Sequence, residues 1–228
     1  MQIIKQKLEN MSYIPPEDQL LIFIGQVAGE CYGSSMDKDR CIRRALSCIK
    51  KGHHSPWEHF NFTMKVTTDR GTTHALVRHR HCAFQQSSTI YQKNKEVVLV
   101  DLPEVDPYSK EKVKSILDTE CKLYEKIEEL HTQELESLPA HRARDILPNS
   151  LAANLIITTN IREWMYIAFH RTGPGDAVRM HVFAEQLHAF LKEHMPLTYE
   201  AFAAYYSNGH CQCNKQDNPC HSNQNAGR

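Results

Sequence analysis

The sequence lacks a surplus of either charge: 27 Lys and Arg stand against 27 Asp and Glu, so no global field draws the chain to nucleic acid or to an anionic membrane. Any anion-binding surface has to be local. Long apolar runs are missing as well. Stretches such as Leu20 to Ile24 fall far short of the roughly 18 residues that a membrane span needs. The N-terminal segment mixes charges with the pair Pro15-Pro16 where an export signal would have an unbroken apolar core, so the expected location is the cytoplasm. No internal repeat is visible. In that compartment the dispersed Cys31, Cys41, Cys48, Cys82 and Cys121 read as buried, reduced thiols in helices rather than as a disulfide scaffold.

What is present is ordinary globular composition, 41% hydrophobic and 24% charged over 228 residues. Apolar spacing predicts helices over 17–31 and 37–51, the second stopped by Gly52. Phe60, Phe62, Met64 and Val66 alternate with polar residues, the period of a half-buried strand, which Asp69-Arg70-Gly71 breaks. A helix over 72–81 would put His74, Arg78 and His81 on one face. The polar run 85–89 reads as a loop or short extended piece and 97–100 as a weak strand. Further helices are expected over 109–131, 141–147, 160–170 and 177–194, the last ended by Pro196, with a buried strand over 155–159. The fold class is α+β, a mixed or antiparallel sheet core flanked by long helices. Residues 1–206 form a single domain, and 207–228 form a polar, Cys-, His- and Asn-rich tail that cannot add to a core.

The densest chemical signal lies between Arg70 and His81, where three arginines and three histidines fall within twelve residues. Guanidinium forks and imidazoles there suit a phosphate or carboxylate, and Gln85, Gln86, Ser87 and Ser88 add neutral donors and acceptors for a sugar or base edge. The bland counterpart is a solvated basic helix end. A second cluster, His53-His54-Ser55-Pro56-Trp57-Glu58-His59, has the residue types of metal or acid–base sites but no zinc spacing; it reads equally as a connection. The thiols and histidines of the tail match no standard finger or ribbon, so no metal is assigned. Cys82 reads as packing rather than as a nucleophile.

The string Arg78-His79-Arg80, followed by seven residues and Ser88, resembles the signature of the flavin-dependent thymidylate synthases. The segment 52–59 looks like that family's histidine segment, and Tyr91 stands where the family usually has tyrosine. Arg144-Asp145-Ile146-Leu147-Pro148 resembles its R-x-x-L-P stretch, and Asn160-Ile161-Arg162 with Arg171 resembles its N-x-R … R stretch, all in family order. The resemblance implies a homotetramer with active sites shared between subunits, using FAD, methylenetetrahydrofolate and NADPH to methylate dUMP at C5, with no cysteine attacking the base. It implies that His53, Ser55, Arg78, His79, Arg80, Asn160 and Arg162 hold FAD. Arg78 of a neighbouring chain, Gln86, Ser87, Ser88 and Arg144 would hold the nucleotide, and Arg171 would face the pyrimidine as the catalytic group. The chain departs from the family pattern at Ala75, Gln86, Ile90, Tyr166 and 176–181. Those departures keep two other readings open: a sister enzyme alkylating C5 of another pyrimidine nucleotide, and a non-catalytic nucleotide- or flavin-binding protein.

Overall fold

The computed structural model describes residues 2–34, 37–91, 96–101, 110–173 and 175–207. The segment 101–108, which with its two prolines reads as a connection in the sequence, lies outside these residues from 102 onward, as does the tail beyond Ser207. The described elements run β1 (Gln2–Ile4), β2 (Lys7–Asn10), α1 (Glu17–Glu30), α2 (Lys38–Lys50), a 3-10 turn (Ser55–Glu58), β3 (Asn61–Asp69), α3 (Arg70–Leu76) and β4 (Ala83–Gln86). They continue with β5 (Val98–Val100), α4 (Lys110–Ser137), α5 (Ala140–Ala143), a 3-10 turn (Arg144–Ile146), β6 (Ala152–Asn160), α6 (Ile161–His170), α7 (Val178–His194) and α8 (Pro196–Tyr205).

The core sheet has the order β2-β3-β6-β4, with all neighbours antiparallel, and β1 pairs with β5 in a separate parallel ribbon. This is the mixed α+β class the sequence implies. Strands β3 and β6 run opposite one another over their full lengths, from Asn61 against Asn160 to Asp69 against Ala152. Phe62, Met64 and Val66 of β3 and Leu155 and Ile157 of β6 point to one face and are buried with residues of α1, α2, α6, α7 and α8. Trp164 stacks on Phe62, and Trp57 meets Phe202 edge-on. The opposite face stays polar, with Thr63 bonded to Thr158 and Thr67 to Asn154 across the strand pair. Alternation in the sequence is thus alternation between a helical layer and an open face.

Helices α1 and α2 cross so tightly that a Cβ on Gly25 would lie 2.1 Å from the carbonyl oxygen of Cys41, so only glycine fits there. Asp37 caps α2 through the Arg40 amide, and Gly52 beyond its end takes φ +74°, the left-handed region that glycine enters at no steric cost.

Several expectations are corrected. Asp69-Arg70-Gly71 ends β3 as expected, and it does so by starting a helix two residues earlier than expected. The Asp69 carboxylate accepts from the Thr72 amide and hydroxyl and caps α3 directly at the end of β3. Helix α3 stops at Leu76, so Arg78, His79 and Arg80 lie in the turn segment beyond it rather than on a helix running to 81. The shared face of His74, Arg78 and His81 therefore does not exist. Pro196 does not merely end α7; it opens α8, where a first turn has no use for its missing N–H. Strands β1 and β2 had no reading in the sequence. Helix α4 extends to Ser137, past the expected 131. Of the cysteines, Cys41 is buried in α2, whereas Cys31 is exposed and both Cys31 and Cys82 sit in turns.

Candidate active site

Two strand-to-helix junctions build the site. At one, β3 passes into α3 and then into the Arg78–Arg80 turn. At the other, β6 passes into α6 through Asn160, whose side chain accepts from the Glu163 amide as the helix cap. The antiparallel pairing of β3 with β6 puts the two junctions at opposite ends of the strand pair, and α3 followed by β4, with Ala83 against Thr158, returns the Arg78–Arg80 turn to the start of α6. On α6, Ile161, Trp164, Met165, Ile167 and Ala168 are buried in the core, while Arg162, Glu163, Tyr166 and His170 border a cleft. A third wall comes from Gly52 and His54 after α2 and from Tyr205 and Tyr206 at the end of α8. The Tyr205 hydroxyl lies 3.4 Å from where a Gly52 Cβ would stand, and its ring meets His54 edge-on at 4.5 Å.

The cleft has a volume of about 630 Å³ and is lined by Arg78, Arg80, Arg162 and Arg171 together with four histidines, His54, His79, His81 and His170. A neutral chain has therefore gathered local positive charge, balanced in the lining by Glu58 and Glu163 alone. Arg78 and Arg80 are exposed, with forks available to solvent, and Arg162 pairs with Glu58. His79 is buried, and its Nδ1 lies 3.1 Å from Glu163 Oε1. Arg171 Nε donates to His79 Nε2 at 2.9 Å, its Nη1 reaches Asp176 at 3.1 Å and its Nη2 donates to the Ala75 carbonyl at 3.1 Å. The His170 ring stacks on Tyr166 at 5.0 Å, and burial first, then Arg171 and His79, holds its pKa below the ordinary value. Burial pushes the Cys82 thiol up to about 11 and raises the Tyr206 phenol. At neutral pH Cys82 keeps its proton and is a poor nucleophile.

Of the residues expected to hold a cofactor, Arg78, His79, Arg80, Asn160 and Arg162 line this cleft, and Arg171 joins them. His53 and Ser55 do not; they stand exposed on either side of His54, whose ring faces inward instead. The nucleotide-binding candidates lie elsewhere. Gln86 Nε2 donates to Thr73 Oγ1, Ser87 bonds the Asn154 backbone in both directions, and Ser88 Oγ accepts from the Ile90 amide. Arg144 sits in the 3-10 turn after α5. None of these four lines the cleft of its own chain.

Sequence reasoning missed His54, Glu163, His170 and the two tyrosines of α8 as lining residues. Glu163 and His170 had a signal, since both lie on the face of α6 opposite its apolar residues. Tyr205 and Tyr206 had none, because they reach the cleft only through the packing of α8 on α2. Among the described residues there is no cluster of metal-ligating side chains, and no helix is long and apolar enough to cross a membrane.

Comparison with known proteins places this arrangement. The family model described as thymidylate synthase complementing protein, Thy1, matches residues 11–197. Flavin-dependent thymidylate synthases of Corynebacterium efficiens and Corynebacterium diphtheriae are 27% and 28% identical, each aligned over 81% of this chain and 79% of the relative. Among solved structures, the UMP/dUMP methylase PolB from Streptomyces cacaoi bound with 5-Br dUMP superposes with a TM-score of 0.74 at 24% identity, covering 90% of this chain and 97% of that one. At this identity the likeness is one of fold. The cleft at the Arg78–Arg80 turn thus lies inside the stretch matched by the family model, and the chain belongs to the Thy1 family of flavin-dependent thymidylate synthases, enzymes of the methyltransferase class.

Proposed function

We propose that this enzyme methylates a pyrimidine nucleoside monophosphate at C5, that its substrate is dUMP, and that it works with FAD, methylenetetrahydrofolate and NADPH. The observation carrying the reading is the Arg171 guanidinium, presented in a cationic cleft beside the buried His79. A guanidinium has five N–H donors, and three are committed to His79, Asp176 and Ala75, so two remain for a ligand. Facing a pyrimidine, these would stabilise negative charge developing on the ring.

The donor set fits FAD. Arg78, Arg80 and Arg162 supply forks for a pyrophosphate, His54, Tyr166 and Tyr205 supply aromatic surface for flat rings, and the volume lies in the range of cofactor sites. When bound and reduced by NADPH, the flavin would supply the hydride for reducing the transferred one-carbon unit to methyl. Asn160, at the cap of α6, would orient it with a side-chain amide still able to donate. The raised pKa of Cys82 agrees with chemistry in which no thiolate attacks the base.

The separation of Gln86, Ser87, Ser88 and Arg144 from the cleft supports a site completed by a neighbouring chain in a homotetramer. A C5 methylase of another pyrimidine nucleotide is the second reading. It is favoured by Gln86, whose amide is engaged with Thr73, and by the fold neighbour described as a UMP/dUMP methylase. Tritium release from C5 of dUMP, UMP and dCMP, with methylenetetrahydrofolate and NADPH, decides between them. Release confined to dUMP is expected; preference for UMP or dCMP selects the second reading, and a colourless protein that takes up no FAD sinks both.

A further inference from the structure

Glu163 is out of keeping with its surroundings. It is a carboxylate, 9% exposed, in the wall of a cleft rich in arginine and histidine, where its charge opposes any anionic ligand; the other lining carboxylate, Glu58, is exposed and paired with Arg162. Its position in the first turn of α6 favours negative charge through the aligned peptide dipoles, and its amide is tied to the Asn160 cap. That leaves its side chain to be explained by His79, 3.1 Å away.

The hydrogen-bond directions along this line are not interchangeable. Arg171 Nε–H can only donate, so His79 Nε2, at 2.9 Å, has to accept. The ring proton then sits on Nδ1, and the Glu163 carboxylate, which can only accept, takes it. In the other tautomer two N–H groups would point at each other between His79 and Arg171 while Glu163 faced a bare lone pair. The line therefore runs one way, from Arg171 through His79 to Glu163, and it connects residues 84 and 92 positions apart in the chain.

We propose that Glu163 is a positioning residue that holds His79 in its Nδ1–H tautomer, and that His79 in this state fixes the plane of the Arg171 guanidinium. Asp176 and the Ala75 carbonyl anchor the Nη end, whereas the Nε end depends on His79 alone. Losing Glu163 leaves the Arg171 Nε–H as the one remaining hold on this tautomer, and each time the ring adopts the other tautomer the guanidinium loses its Nε partner and swings about its remaining anchors. The two N–H groups available to a ligand then lose their aim. The consequence for turnover rests on the function proposed above; the tautomer does not.

The test uses the full-length protein labelled with 15N in its histidine rings, with the His79 signals assigned by their loss in His79→Gln. The wild type is expected to show a protonated Nδ1 and an unprotonated Nε2. In Glu163→Leu the two nitrogens should move toward the other tautomer or a mixture, while Glu163→Gln, which keeps a side-chain carbonyl as acceptor, should retain the wild-type pattern. With the preferred nucleotide, and compared at equal flavin content per subunit, Glu163→Leu should lose about 10- to 100-fold in kcat/KM and Glu163→Gln should recover most of it. A wild-type ring protonated on Nε2 overturns the proposal even if the Leu variant does not fold. So does a folded Leu variant with unchanged tautomer and kcat/KM within about twofold of wild type. A wild type that turns over no pyrimidine nucleotide refutes the proposed function, and the ring signals then decide the positioning role by themselves.

Discussion

The cleft at the Arg78–Arg80 turn and the segment from Gln86 to Ser88 carry parts of one family signature, yet they behave oppositely in the fold. The cleft is walled by side chains from four separated parts of the chain, and its key groups are tied to one another. The Gln86–Ser88 segment follows an edge strand, and its polar groups bond the neighbouring backbone and Thr73. Seven residues of sequence separate Arg80 from Ser88, but only Arg80 is in the cleft. One chain thus assembles a cationic cleft from the first part of the signature and leaves the second part outside it; under the proposed function, the nucleotide half would be supplied by a neighbouring chain.

The sharpest way to break this contrast is Arg171→Ala. Turnover should fall by about 100-fold or more with flavin absorbance per subunit near wild type, whereas His79→Ala should lower flavin occupancy. Equal effects on both readouts would end the division of roles. Mixing chains tests the contrast from the other side. Arg171→Ala and Ser88→Ala proteins, each inactive alone, should regain activity when unfolded and refolded together, and no recovery would mean that both residues serve the same chain's site.

Stability should divide along the same line. Gly25→Ala, which forces a methyl group into the Cys41 backbone behind the cleft, should cost about 3 kcal/mol in urea denaturation, against less than about 0.5 kcal/mol for Ser88→Ala. At the corner where the sheet meets the cleft, Asn160→Ala should cost about 1 kcal/mol, with Asn160→Asp retaining the cap. Comparable losses at Gly25 and Ser88 would erase the distinction between packed and lightly packed regions.

The smallest effect is on pH. Burial holds His188 and His170 below the ordinary imidazole value of 6.5. Above that value neither state carries the proton and stability is unaffected. As pH falls through it, the unfolded chain takes up a proton that the folded chain resists, so stability declines on the acid side. The melting temperature should fall between about pH 7 and 5, less steeply in His188→Gln; a slope unchanged by that substitution would exclude His188 as its source.

Much of the architecture was readable in the residues. The alternation in β3, the cap-and-glycine bounds of α2 and the apolar spacing of α7 each follow from a period that local geometry imposes. Strands β1 and β2 were not readable. They are three and four residues long, largely exposed, and exist because β5 and β3 offer them partners. The choice of His54 over His53 likewise turned on how the 3-10 turn at Ser55 rotates the chain. The helix expected over 72–81 failed because periodicity cannot see that Asp69 already caps the helix at its start, nor that His79 is pulled inward toward Glu163.

The sequence by itself determined the residue types, their order and the family, because guanidinium and imidazole chemistry needs no neighbours to be recognised. Which donor meets which acceptor was decided only when β4 paired antiparallel with β6, Ala83 against Thr158, and brought the Arg78–Arg80 turn against α6. Hydrogen bonds reach about 3 Å, and no local rule along a chain can specify contacts between groups so far apart in it.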